Sequence, residues 1–99
     1  AFRFITSDYI IDETYTGLLA RPGYWAAMGF DETLRKSNVK IEFVNQERFV
    51  KSQEVFRRYN KDKKWSFTDC TSYMVMKELK IKTVFAFDKN FEEMGFKLL

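Results

Sequence analysis

The sequence contains no histidine and one cysteine in 99 residues, and each shortage removes a class of chemistry. Without histidine, Ser–His and Cys–His nucleophile pairs are excluded, together with the usual zinc sites. The lone Cys70 cannot build an internal disulfide framework and suits a reducing, cytoplasmic setting. No apolar run approaches the roughly 18 residues of a membrane span, and there is no signal-peptide pattern, so no membrane partner is expected. The single proline sits in Arg21-Pro22-Gly23, and no repeat, low-complexity tract or long linker marks a second domain. Any chemistry must therefore run on carboxylates, which acting together require a hard metal ion.

What is present is a core-forming composition: 45% hydrophobic and 18% aromatic, the aromatics led by phenylalanine. Residues 1–99 fit one domain, and a chain of this size buries about 60–70% of its unfolded surface. The net charge of +3 is unevenly spread. Between Arg35 and Lys64 lie ten basic residues (Arg35, Lys36, Lys40, Arg48, Lys51, Arg57, Arg58, Lys61, Lys63 and Lys64) against four acids (Glu42, Glu47, Glu54 and Asp62). This stretch reads either as a phosphate-binding face or as a solvated helix surface.

Along the chain, Phe2–Ile5 alternates apolar and basic residues as a short strand would. Thr6, Ser7 and Asp8 offer N-caps for a helix running to about Ala20, with Ile10, Ile11, Thr14, Leu18 and Leu19 as its buried stripe. Glu13 falls beside that stripe. Arg21-Pro22-Gly23 breaks the helix, and Tyr24–Lys36 reads as a second one with Trp25, Met28, Phe30 and Leu34 as contacts. Val39–Val44 alternates as a strand. Gln46–Tyr59 is a helix with Phe49, Val50, Gln53 and Phe56 on one side, followed by a polar, basic loop over Asn60–Lys64.

The organising stretch is Trp65–Leu99. Ser66 and Asp69 match a capping box that opens a helix to Leu79. Its apolar residues (Cys70, Tyr73, Met74, Val75, Met76 and Leu79) cover more than one face, as in a helix packed into a sheet. Lys80-Ile81-Lys82 turns the chain into a β-rich run, Thr83–Phe87. Asp88 follows at its carboxyl end, where open α/β sheets place ligands, so Asp69 and Asp88 can share one crevice. The order is β-α-α-β-α-α-β-α-β, which argues for a parallel sheet covered on both faces.

The run WSFTDC, then a helix, a strand and FDKNFEEMGF, resembles the carboxyl-terminal half of PIN-domain ribonucleases, especially the VapC-like toxins of toxin–antitoxin pairs. SDYIIDETYTGLL is similar to the family segment that carries a further acid on a helix. The likeness is strongest over Trp65–Phe96, fair over Phe4–Leu19 and weak between. It implies an α/β fold, a PIN-like three-layer α/β/α sandwich with a parallel sheet. It also implies a metal-dependent endoribonuclease in which Glu13, Asp69 and Asp88 hold Mg²⁺ or Mn²⁺. Glu13, not Asp12, matches the family's helical acid. Thr68 and Asn90 would orient carboxylates or waters. Arg58, Lys61, Lys63 and Lys64 would track the RNA backbone, with Trp65 available for stacking or else part of the core.

The resemblance further implies an RNA substrate, a cognate antitoxin protein lying across the acidic groove, and a homodimer. One departure is expected to matter. The family begins with a strand carrying the first acid, and Ala1-Phe2-Arg3-Phe4-Ile5 looks instead like the lead-in to the helix of the second, so an amino-terminal strand and helices are expected to be missing. The alternatives are a non-catalytic RNA-binding or scaffold PIN-like domain, and a response-regulator-like domain. The second is disfavoured because no acidic pair lies on a first strand.

Overall fold

Helix starts in this chain are set by short polar side chains. Ser7 Oγ accepts from the N–H of Ile10 at 3.2 Å, Asn45 Oδ1 from Arg48 at 2.9 Å, and Ser66 Oγ from Asp69 at 3.0 Å. Each satisfies a first-turn amide that has no partner inside its own helix. The computed structural model describes residues 4–84 and 90–98 and divides them into two compact units, Ala1–Phe43 and Val44–Leu99.

The first unit comprises β1 (Ile5–Ser7), α1 (Asp8–Ala20), α2 (Tyr24–Lys36) and β2 (Lys40–Glu42). β1 and β2 pair in parallel, Ile5 with Lys40, Thr6 with Ile41 and Ser7 with Glu42, and the helical pair forms the crossover. Between the helices, the Tyr15 ring meets Phe30 edge-on at 5.1 Å, and the Tyr15 hydroxyl donates to Asp31 at 2.6 Å. Asp31 also accepts from Arg35 at 3.0 Å. These two donors hold its carboxyl below the ordinary carboxylate range, the tyrosine bond contributing most. Gly23 opens α2 at φ 137°, a left-handed conformation that a side chain would disfavour.

The second unit comprises α3 (Gln46–Tyr59), α4 (Phe67–Glu78), β3 (Thr83–Val84), α5 (Asn90–Glu93) and β4 (Lys97–Leu98). β3 and β4 are again parallel, Thr83 with Lys97 and Val84 with Leu98. α3 and α4 form an antiparallel hairpin. Arg48 near the start of one binds Glu78 at the end of the other at 2.6 Å, and Tyr59 faces Tyr73. The core gathers Trp65, Cys70, Met76, Phe91, Met94 and Phe96, with Val55, Tyr59, Tyr73 and Ile81 packed against it.

The element order and the boundaries of α1, α2 and α3 follow the reading of the sequence. The strand expected over Phe2–Ile5 falls partly outside the described residues, and β1 is seen at Ile5–Ser7, paired with Lys40–Glu42. Three expectations of burial do not hold. Trp25, read as a contact of α2, is 83% exposed. Leu19 is 57% exposed and no residue of α1 is fully buried. On α3 the buried position is Ser52, while Phe49, Val50 and Phe56 remain exposed, although the Phe49 and Phe56 rings meet Phe67 of α4 at 5.3 and 6.2 Å.

Candidate active site

Asp69 is held from two directions. As the third residue of α4 it closes a capping box: Ser66 Oγ accepts its amide, and its Oδ2 accepts the Ser66 amide at 3.1 Å. The same Oδ2 accepts from Asn90 Nδ2 at 2.8 Å, across 21 residues of chain. Oδ1 receives no hydrogen bond among the described residues. The carboxylate is thus fixed through one oxygen while the other remains available for a ligand.

The segment leading to Asp69 is anchored by a residue that the sequence pattern marks only as loop. Asn60 Oδ1 accepts the Trp65 amide at 2.8 Å and its Nδ2 donates to the Trp65 carbonyl at 3.0 Å. This paired clasp closes the 60–65 loop immediately before the cap. An Asn followed by a short basic loop and a Trp is the only signal for it in the sequence. Trp65 itself is 3% exposed, its ring 5.0 Å from Tyr59 and 5.7 Å from Tyr73. It belongs to the core, so the stacking alternative is excluded: a buried indole offers no face to a base.

Of the other expected residues, Glu13 lies exposed on α1, in the first unit, and Thr68 lies half-buried on α4. Asp88 lies outside the described residues. The pair that the structure brings together is therefore Asp69 and Asn90. Among the basic residues, Lys61 and Lys64 are exposed, and Lys63 reaches Glu93 at 3.5 Å. Arg58 lies over the Tyr59 ring, 5.6 Å from its centroid.

The donor set fits a hard divalent cation and no softer one. Histidine is absent, and Cys70 is fully buried, with burial first and the Asp69 charge second pushing its thiol up to about 11. Only oxygen ligands remain, and Asp69 Oδ1 is an oxygen that accepts no hydrogen bond among the described residues. Among the described residues, no three His, Cys, Asp or Glu side chains form a ready cage for a metal ion. No helix there is long and apolar enough to cross a membrane.

Comparison with known proteins gives a consistent picture. A family model described as the PIN domain matches residues 1–97. The 23S rRNA-specific endonuclease VapC20 of Mycobacterium tuberculosis, from strains CDC 1551 / Oshkosh and H37Rv, is 32% identical over 92 residues, spanning 93% of this chain and 70% of the relative. The crystal structure of Mycobacterium tuberculosis VapC20, described as a sarcin-ricin loop cleaving toxin, superposes with a TM-score of 0.87 at 31% identity. That match covers 95% of this chain and 72% of the other.

Proposed function

We propose, from the premise that this chain belongs to the PIN-domain family, that Glu13, Asp69 and Asp88 hold a divalent metal ion at which RNA phosphodiesters are hydrolysed. The protein is an endoribonuclease of the PIN class and of the toxin type. Likeness to an endonuclease toxin over 93% of the chain favours this over a non-catalytic RNA-binding or scaffold domain. Nucleases of this family use a divalent metal ion, and Mg²⁺ or Mn²⁺ matches an all-oxygen set. The observation that carries the assignment is the clamped Asp69 carboxylate, with one oxygen tied down and the other left available.

When bound, such an ion stabilises the charge growing on the phosphate and makes water a better nucleophile. The protein's own residues do the positioning. Ser66 and Asn90 fix the rotation of Asp69, as partners of metal-binding carboxylates do. Asn60 fixes the backbone that presents Ser66. Asp88 and Glu13 complete the oxygen set in this reading, and Thr68 supplies a hydroxyl beside Asp69. Arg58, Lys61, Lys63 and Lys64 attract the RNA backbone. The natural partners in this reading are an RNA substrate, a cognate antitoxin protein covering the acidic site and a second copy of the chain.

Calorimetric titration with Mn²⁺, paired with cleavage of an RNA substrate, tests the assignment. Asp69→Asn should abolish cleavage and weaken Mn²⁺ binding. Asn90→Ala should weaken metal binding by roughly 10- to 100-fold while leaving the fold intact, the usual cost of removing a ligand's supporting partner. Unchanged Mn²⁺ affinity in Asp69→Asn would sink the assignment.

A further inference from the structure

We propose that the groove between α3 and α4, edged by Arg58 and Lys77 with Lys51 at its side, is a phosphate-binding track for the RNA strand that passes Asp69. The proposal rests on the ribonuclease reading above and deepens it by assigning a binding surface beyond the carboxylates.

The groove is a cavity of about 430 Å³ lined by both helices. Its cations are held on aromatic faces. Lys77 Nζ lies 5.5 Å from the Tyr73 ring centroid and 5.6 Å from that of Phe96, and Arg58 Cζ lies 5.6 Å from that of Tyr59. A ring face positions a cation without neutralising it. Neither Arg58 nor Lys77 has a carboxylate partner among the described residues, whereas Lys51 is shared with Glu47 at 3.1 Å. Glu78, also on the lining, is engaged by Arg48.

The groove also offers a neutral donor. The Tyr59 and Tyr73 hydroxyls lie 3.2 Å apart. Two hydroxyls carry two protons and their mutual bond uses one, so the other can be donated to an external oxygen. Burial and the bond from Tyr59 push the Tyr73 phenol up to about 12, so it stays a donor at neutral pH. Guanidinium, ammonium and phenol O–H together match phosphate oxygens. The rings themselves pack against Trp65 and Phe96, so the groove contacts the backbone and leaves the bases unread.

The direction of the track follows from helix geometry. Asp69, Tyr73 and Lys77 are spaced by four and share one side of α4. Lys77 lies about 12 Å along the axis from Asp69, at about 1.5 Å per residue. A strand engaged at Asp69 can therefore continue along the same edge of the helix. One feature opposes an anion here: Glu54, on the lining, makes no ion pair among the described residues. Its presence gives the proposal a test of opposite sign.

The test measures binding of a fluorescent single-stranded RNA by anisotropy across a salt series, in EDTA to prevent cleavage. Cleavage in Mn²⁺ is assayed in parallel. Each phosphate left unneutralised lowers the log–log salt slope by about 0.7 for a single strand. Arg58→Gln with Lys77→Gln should therefore flatten the slope by about 1.4 and weaken binding roughly 25-fold near 0.1 M salt. The loss should be the same for unrelated RNA sequences. Glu54→Gln should tighten binding. If the wild type cleaves RNA but the double variant keeps its affinity and slope, the groove proposal is overturned and the ribonuclease reading stands. Selective loss of binding to a poly-glutamate peptide, with RNA affinity unchanged, overturns it in favour of a protein contact. A wild-type protein that cleaves no RNA sinks the underlying reading, and the groove proposal with it.

Discussion

At the level of single residues, the carboxylate of Asp69 serves a helix and a candidate site together, and its neighbour Cys70 illustrates the opposite use of burial. The Cys70 side chain is fully enclosed and its thiol is pushed up to about 11 from the ordinary value of 9.0. Tyr73 is pushed up to about 12 from 10.0, by burial and the Tyr59 hydroxyl. Both groups hold their protons more tightly in the folded state than in the unfolded one. Their contributions to stability are therefore complete below pH 9 and decline as pH rises through 9–12, where the unfolded chain releases protons first. Urea titrations at pH 8 and pH 11 should show lower stability at the higher pH, and Cys70→Ala should reduce that difference. An equally large difference in Cys70→Ala would remove the thiol from the account. Asp69 was legible in the sequence because Ser66 and Asp69 stand at capping-box spacing. Asn90 was expected to orient a carboxylate or a water only through the family resemblance, and the structure gives it Asp69 as partner, whereas the Asn60 clasp on Trp65 had no signature. Asn90 meets its partner across 21 residues, a distance over which spacing says nothing about contact.

At the level of elements, α4 ends in a Schellman arrangement built on a residue poorly suited to it. The Ile81 amide donates to the Met76 carbonyl at 2.8 Å and the Lys80 amide to that of Lys77 at 3.2 Å. This places Lys80 at φ 58°, in the left-handed region that glycine occupies without steric cost. Lys80→Gly should raise unfolding stability by about 1 kcal/mol, because it removes the Cβ clash while keeping both bonds. A lower chemical-denaturation midpoint in that variant would show that the lysine side chain contributes more than its backbone strain costs. The helices were legible because their caps and breaks are local: Ser7, Asn45 and Ser66 at starts, and Arg21-Pro22-Gly23 between α1 and α2. The buried face of α3 was not. Phe49, Val50 and Phe56 looked like its core stripe, yet Ser52 is the buried residue. Periodicity gives a helix a stripe, but packing decides how deeply each residue of it is enclosed: the Phe49 and Phe56 rings meet Phe67 of α4 and still remain exposed.

At the level of the whole molecule, the fold sorts the uneven charge of the sequence. The basic residues of the 57–64 stretch diverge: Arg58 turns to the α3–α4 groove, Lys63 to Glu93, while Lys61 and Lys64 remain in solvent. Replacing Lys61, Lys63 and Lys64 by Ser should lower the salt slope of RNA binding by about 0.7 for each phosphate that these lysines neutralise. Lys63 should contribute least, since it already has a carboxylate nearby. If slope and affinity both stay unchanged, the loop is a solvated surface and RNA is held elsewhere. The sequence by itself determined the element order, the extent of three helices, the exclusion of histidine chemistry and the identity of Asp69 as a helix-start acid. It could do so because capping, chain breaking and ligand chemistry depend on residues adjacent in the chain or absent from it. Tertiary structure decided that Trp65 is core, that Asn60 and Asn90 support the Asp69 segment, and that Lys77 joins Arg58 across a groove. These outcomes depend on which surfaces two helices present to one another, and side-chain burial and long-range hydrogen bonds are set by that packing rather than by local order.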